Sequence, residues 1–297
     1  MVVLVLLGAT AAAFALTEGL KLERTPISKT QVDKVFSPLC GCRTRVAHVS
    51  FHLRRGDRLT VRIVQEGRTV RTLAAHHFNR GTVRLAWNGL GDDGLRADDG
   101  VYVPVVHFAR QHRTITLPNE IQLDTEPPEV RIVGVQPVTF SPDGDGRADR
   151  ITVRYAASEP AHAIVYVNGK RRVRGKSQQL SGSLQWFGKV NGRAARIGIY
   201  QVSVAARDLA GNLSPQTRPV EVRVRYVELG RRVVHAKAGR QFGVRVLTDA
   251  RTVSVRYAST TFVRPAGLLV LRAGAPGRYG LFVSANGHAV RAEVIVG

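Results

Sequence analysis

The chain has 297 residues, 44% of them hydrophobic, which supplies two or three domains with cores of their own and excludes disorder along the whole length. Its 44 Lys and Arg against 22 Asp and Glu leave a net charge of +22, a surface that attracts polyanions and repels cations. Charge of this size constrains partners rather than fold, and where arginine alternates with valine, as in Val220–Tyr226, the bland reading is a solvated strand face.

In chain order, the first element is the uncharged run Val2–Leu16, shorter than the ~20 residues of a comfortable membrane span. It fits a secretory h-region, with Ala13-Phe14-Ala15 as a small-x-small cleavage site but no basic n-region before it. A cleaved signal peptide and a retained anchor with a stalk over Thr17–Lys34 are the two readings. Both place the rest of the chain outside the cytoplasm, secreted or membrane-anchored, with membrane contact only through this segment.

Next comes an internal repeat. Val35–Leu53 (VFSPLCGCRTRVAHVSFHL) and Thr139–Tyr155 (TFSPDGDGRADRITVRY) share Phe-Ser-Pro, a glycine three residues after the proline and then an alternating strand, with Phe36 and Phe140 104 residues apart. Trp87 and Trp186, 99 apart, each open a glycine-rich turn leading to a Gly-x-Tyr strand, with Tyr102 and Tyr200 98 apart. Three landmarks in the same order indicate a duplicated domain.

Between the landmarks the chain reads as strand and turn. Leu59–Ile63 and Ile151–Tyr155 alternate apolar with polar residues, which buries one face and wets the other. Asn168-Gly169 and Asn286-Gly287 each sit between two such runs as two-residue hairpin turns. No helical periodicity of useful length follows the N-terminal segment. Asp124–Val130 (DTEPPEV) is a proline-bearing linker, and after Tyr226 a shorter region keeps a Gly-x-Tyr-like strand, GRYGLFVSANG, without a Trp turn. The expected organisation is residues 1–27 as signal or anchor with a short stalk, domains at 28–124 and 125–226, and a small β-sandwich at 227–297. The expected fold is all-β: tandem immunoglobulin-like β-sandwiches.

Trp87–Val106 (WNGLGDDGLRADDGVYVPVV) resembles the Trp-x-Gly-x4-Gly-x5-Gly-x-Tyr turn and strand of the Ig-like domain of the flagellar hook-capping protein FlgD and of many secreted bacterial proteins. The spacing is met at Trp87, Gly89, Gly94, Gly100 and Tyr102. The second copy keeps Trp186, Gly188 and Tyr200 with a loop one residue shorter, and Phe140–Asp149 is similar to the start of the same modules, as is Asp208–Asn212 (DLAGN) to a strand end in them. The likeness spans about Phe36 to Tyr226. It implies an Ig-like fold and an extracytoplasmic scaffold or adhesive role, with no catalytic residues to transfer; it does not imply a hook-capping function, since no flagellar targeting region is recognised. Read from the residues alone, the tryptophans and tyrosines are core anchors rather than ligand-stacking platforms.

Motifs for chemistry are sparse. Gly89–Gly94 satisfies G-x-G-x-x-G, but loop and strand follow it where a dinucleotide site needs a helix. Cys40 and Cys42 stand where the second repeat has Asp143 and Asp145; a local disulfide, free thiols and a zinc site with His48 and His52 are the alternatives. On one strand those histidines stand ~13 Å apart, too far to share an ion. His76-His77 is read as a pair of exposed loop histidines. From Asp143 an EF-hand loop fails at its fifth, sixth and twelfth positions, Arg147, Ala148 and Arg154. Asp143, Asp145 and Asp149 remain as a weak calcium site, against a turn whose aspartates bond their own backbone. No nucleophile elbow or HExxH helix appears, so a non-enzyme is expected, without cofactor unless calcium. The leading reading is a non-catalytic envelope scaffold or adhesion module contacting an anionic cell-envelope polymer or a protein. A basic nucleic-acid binder without specific recognition follows, then an envelope hydrolase with an unrecognised site.

Overall fold

The computed structural model describes residues 25–297, so the hydrophobic segment and its signal or anchor reading lie outside the described residues. The chain forms two compact units, one ending at Glu126 and including Leu209–Asn212, the other made of Pro127–Asp208 and Leu213–Gly297.

The first unit is a two-sheet sandwich. Its strands are β1 (Ile27–Val32), β2 (Val35–Phe36), β3 (Ala47–Leu53), β4 (Asp57–Gln65), β5 (Arg68–Phe78), β6 (Gly81–Trp87), β7 (Gly100–Phe108), β8 (Arg113–Thr116) and β9 (Ile121–Leu123). One sheet runs β1-β3-β6; the other runs β2-β9-β7-β4-β5, with β8 also on β7. The stalk reading fails from Ile27 onward: Ile27–Val32 pairs antiparallel with β3, and Ile27 and Val32 are buried in the core. The alternation explains the sandwich. Val49, Phe51 and Leu53 face Leu59, Val61 and Ile63 across the interior, all essentially inaccessible, each worth about 1.5–3 kcal/mol of burial. His76 and His77 lie within β5 rather than in a loop, exposed, with the His76 ring stacked 4.2 Å from Phe78.

The second unit holds two hydrophobic cores, one built from residues between Val135 and Tyr226 and one from residues between Val227 and Val296. The strands around the former are β10 (Val130–Gln136), β11 (Thr139–Phe140), β12 (Ile151–Val167), β13 (Lys170–Arg174), β14 (Gln179–Trp186), β15 (Lys189–Val190), β16 (Arg193–Ala194), β17 (Gly198–Arg207) and β18 (Val220–Val224). The 17-residue β12 serves both sheets: its first half pairs with β10 and β14, and its second half with β13 and β17.

Around the third core lie β19 (Glu228–Leu229), β20 (Val233–Ala236), β21 (Gln241–Leu247), β22 (Thr252–Tyr257), β23 (Thr260–Pro265), β24 (Leu268–Arg272), β25 (Gly277–Ala285) and β26 (His288–Val296). Their orders, β19-β21-β24 and β20-β26-β25-β22-β23, repeat those of the first unit. In all three sandwiches the first strand splits, and its second piece (β2, β11, β20) crosses to pair parallel with the last strand. The fold is therefore all-β with tandem immunoglobulin-like sandwiches. Among the described residues the only helical turn is the 3-10 turn Arg43–Arg45, and no helix is long and apolar enough to cross a membrane. Asn168-Gly169 and Asn286-Gly287 close the hairpins β12–β13 and β25–β26, all four residues at positive φ as a type I′ turn requires.

Candidate functional site

The repeat landmarks meet in space. Phe36, Trp87 and Tyr102 form one aromatic run, with centroids 5.1 Å and 4.8 Å apart, and Phe140, Trp186 and Tyr200 form another at 5.5 Å and 5.6 Å. Each indole N–H donates to the carbonyl three residues on, Trp87 to Leu90 at 2.9 Å and Trp186 to Lys189 at 3.2 Å, so the ring sits in the core while its polar edge is satisfied. The glycine two residues after each tryptophan takes a positive φ and lies under the proline of Phe-Ser-Pro: Gly89 under Pro38, Gly188 under Pro142. Gly94 also has a positive φ but open space around it, and Gly100 begins β7 beside the Gln65 side chain. Tyr102 and Tyr200 donate to carbonyls four residues upstream, Asp98 at 2.6 Å and Arg196 at 2.9 Å. Tyr279 does the same to Ala275 at 2.9 Å, and it joins an aromatic run with Tyr257 and Phe242. Phe36, Trp87, Tyr102, Phe140 and Trp186 are buried in the cores, while Tyr200 and Tyr279 are half-buried.

Cys40 and Cys42 are disulfide-bonded, their Cα atoms 5.2 Å apart. Gly41, at φ +58°, supplies the sharp bend between them. The pair lies against Gly211, and Thr44 beside it donates to Ala210 O at 2.6 Å. Asn212 of the same phrase donates to Asp124 O at 2.9 Å, so DLAGN holds the linker. His48 does not approach the cysteines' chemistry; its Nδ1 stands 2.8 Å from the Asp33 carboxylate.

In the aspartate loop, Asp149 bonds the loop's own backbone. Its two oxygens accept the Gly144 and Gly146 amides at 2.6 and 2.7 Å, the self-bonded turn of the bland reading. Asp143 and Asp145 keep one oxygen each on loop amides, from Asp145 at 3.3 Å and Arg147 at 2.8 Å, and their other oxygens accept from the Asn286 amide.

Sequence reasoning missed a cleft at one end of the first sandwich. Three turns converge there, contributing Arg54-Arg55-Gly56 between β3 and β4, Arg80 between β5 and β6, and Arg110-Gln111 after β7. Together with His52 and Asp57 they line a cavity of about 560 Å³. Arg54, Arg55, Arg80 and Arg110 are exposed, and among the described residues no carboxylate forms an ion pair with them. Asp57 is the one carboxylate in the lining; it is buried, and its Oδ1 accepts the amides of Arg58 at 2.7 Å and Arg110 at 3.2 Å. That aspartate fixes the two loops to each other and leaves the guanidinium groups unneutralised. Four fork-shaped donors around a concave wall suit carboxylate or phosphate oxygens. The four positions come from three separate turns, which is why no local sequence motif announces them.

No protein-family model and no curated protein matches the chain. Solved structures that it is similar to include fibronectin(III)-like modules of Clostridium thermocellum CbhA, at 13% identity, 66% of this chain, 94% of that one and a TM-score of 0.37. Three immunoglobulin domains of titin match at 12% identity over 92% of this chain and 98% of theirs, with a TM-score of 0.33. SGBP-B of the Bacteroides ovatus mixed-linkage glucan utilization locus, solved in complex with a mixed-linkage heptasaccharide, matches at 14% identity over 91% of this chain and 67% of that one, with a TM-score of 0.24. The immunoglobulin-like assignment rests on the strand order above.

Proposed function

We propose that the chain is a non-catalytic, extracytoplasmic module of FlgD-type Ig-like sandwiches that grips an anionic cell-envelope polymer. The observation that carries this reading is the cleft ringed by Arg54, Arg55, Arg80 and Arg110 without a partner carboxylate. Unpaired guanidinium groups that face a shared cavity gain most from a ligand bringing its own negative charges, and a polymer bridges several of them at once. A second basic surface supports it: Lys170, Arg171 and Arg174 on the edge strand β13 are exposed, and they also guard that edge against pairing. Export is part of the proposal, supported by the Val2–Leu16 run and by the disulfide, which persists in oxidising compartments.

The test is binding of the full chain to labelled polygalacturonate and polyphosphate at about 50 and 200 mM salt. Binding that falls with salt and drops tenfold or more in Arg54→Ala/Arg80→Ala/Arg110→Ala, at unchanged melting temperature, supports the cleft. Equal binding by that variant refutes it. Duplex DNA displacing both polymers at equal concentration moves the assignment to a nucleic-acid binder. Cell fractionation with N-terminal sequencing of the mature chain tests export, and full-length chain in the cytosol refutes it.

A further inference from the structure

We infer that the second unit contains a calcium site built by Asp143 and Asp145 of the glycine-rich loop together with Asp249, a residue 104 positions further along in the turn between β21 and β22. One carboxylate oxygen from each of the three lies within 4.8 Å of those of the other two. Three oxygens this close leave a point within about 2.8 Å of all of them, so shifts of a few tenths of an ångström bring them to the roughly 2.3–2.6 Å of Ca²⁺ ligands.

The independent sign of a missing ligand is Asp249. Both its carboxylate oxygens have less than 1 Å² of accessible surface, and neither accepts a hydrogen bond. Burial is the largest influence and pushes its pKa up; its own amide pulls it down by less, the charges of Asp143 and Asp145 push it up further, and the Ser141 hydroxyl pulls it down least, neither donor reaching hydrogen-bond geometry. The Ser141 proton is committed elsewhere, to Asp143 Oδ2 at 2.9 Å. A carboxylate shut off from water and left without donors is costly unless a cation compensates it. No protein cation does so: among the described residues no Lys or Arg forms an ion pair with Asp143, Asp145 or Asp249. In a chain of net charge +22, three acidic groups converge with no basic side chain bonded to them.

The surroundings complete an oxygen-ligand set. Asp143 Oδ2 and Asp145 Oδ2 both contact the Asn286 amide of the β25–β26 turn, at 3.1 and 2.9 Å. A half-turn of that amide replaces its NH₂ with the carbonyl oxygen, a fourth ligand on the same point. Asp149 holds the loop shape from behind by clamping the Gly144 and Gly146 amides, so Asp143 and Asp145 need not reorganise to bind. Carboxylate and amide oxygens with no nitrogen or sulfur donor select a hard cation, and a cage drawn from three protein segments suits Ca²⁺ better than Mg²⁺, which keeps most of its water. The ion would tie the loop of the second sandwich to two turns of the third, within one compact unit. Affinity in the range of extracellular modules, about 10⁻⁴–10⁻³ M, is expected for so few ligands.

The experiment is thermal unfolding and terbium luminescence of the full chain. Tb³⁺ luminescence is excited through the aromatic side chains of the chain, and its Ca²⁺-displaceable part is the signal that is read. Millimolar Ca²⁺ should raise the melting temperature and quench the Tb³⁺ signal by competition. Asp249→Asn removes a ligand and a repulsion together: without calcium it should melt higher than the parent chain, and with calcium it should show no further rise. Asp145→Asn, at an exposed position that leaves the fold alone, should weaken Ca²⁺ tenfold or more. The proposal is overturned by an unmoved melting temperature with no Tb³⁺ signal, by either variant responding to calcium like the parent, or by Mg²⁺ giving an equal shift at the same concentration. It is independent of the arginine cleft, whose variants should leave the calcium response intact.

Discussion

Replacing Gly188 by alanine tests why each Phe-Ser-Pro is followed, some fifty residues on, by Trp-x-Gly. At Gly188 (φ +59°) an added Cβ would fall 2.5 Å from Pro142 Cγ, 2.6 Å from its Cβ and 3.0 Å from Phe140 Cε2. At Gly89 (φ +80°) the nearest atom is Pro38 Cγ at 3.1 Å, and at Gly94 (φ +78°) nothing lies within 4 Å. The left-handed backbone costs alanine about 1–2 kcal/mol at all three positions, offset by about 0.4–1 kcal/mol from the stiffer unfolded chain. Gly94→Ala should therefore lose about 1 kcal/mol. A proline ring cannot swing aside like a flexible chain end, so overpacking adds about 1–3 kcal/mol at Gly188 and less at Gly89. The order expected is Gly188→Ala, then Gly89→Ala, then Gly94→Ala, with Gly188→Ala lowering the melting temperature of its sandwich by about 10 °C or more. The chain has two tryptophans, one in each of the first two sandwiches, so urea unfolding followed by indole fluorescence in a Trp87→Phe or Trp186→Phe background reads each sandwich alone. Gly188→Ala no worse than Gly94→Ala refutes the packing argument and leaves backbone conformation as the whole reason for the motif.

Tyr102→Phe, Tyr200→Phe and Tyr279→Phe each delete the hydroxyl bonded four residues upstream, and each should cost about 0.5–1.5 kcal/mol in denaturant titrations; a neutral Tyr279→Phe would separate the third sandwich from the other two. Alkylation followed by mass measurement should label no cysteine before reduction and Cys40 and Cys42 after it, and two adducts on unreduced exported protein contradict the bridge. The raised Asp249 pKa means that the folded chain holds that proton more tightly than the unfolded one, so its favourable contribution is full below the ordinary carboxylate value and lost as pH rises through the folded value. In calcium-free buffer, acidification should therefore narrow the gap by which Asp249→Asn out-melts the parent chain, and a gap constant with pH rejects the assignment.

The strands, hairpins and repeat were legible in the residues themselves. Alternation with period two has one solution when one face must be buried, so Leu59–Ile63 and Ile151–Tyr155 declare strands. Asn-Gly between such runs declares a hairpin because few other residues accept positive φ twice in succession. The Phe, Trp and Tyr landmarks could be matched by spacing, although only the packed core shows that they touch one another and that the motif glycines yield room to Pro38 and Pro142. What spacing could not supply was proximity between residues far apart in the chain. Asp149 looked like the third ligand of a calcium site because it lies six residues from Asp143, yet its oxygens accept the loop's own amides; the carboxylate that comes near Asp143 and Asp145 is Asp249, which only the tertiary structure brings there. The arginine cleft likewise exists only where three turns reach the same end of a sandwich. Local sequence fixes φ, ψ and which face is apolar, whereas charges meet through long-range topology, and there the tertiary structure alone decides.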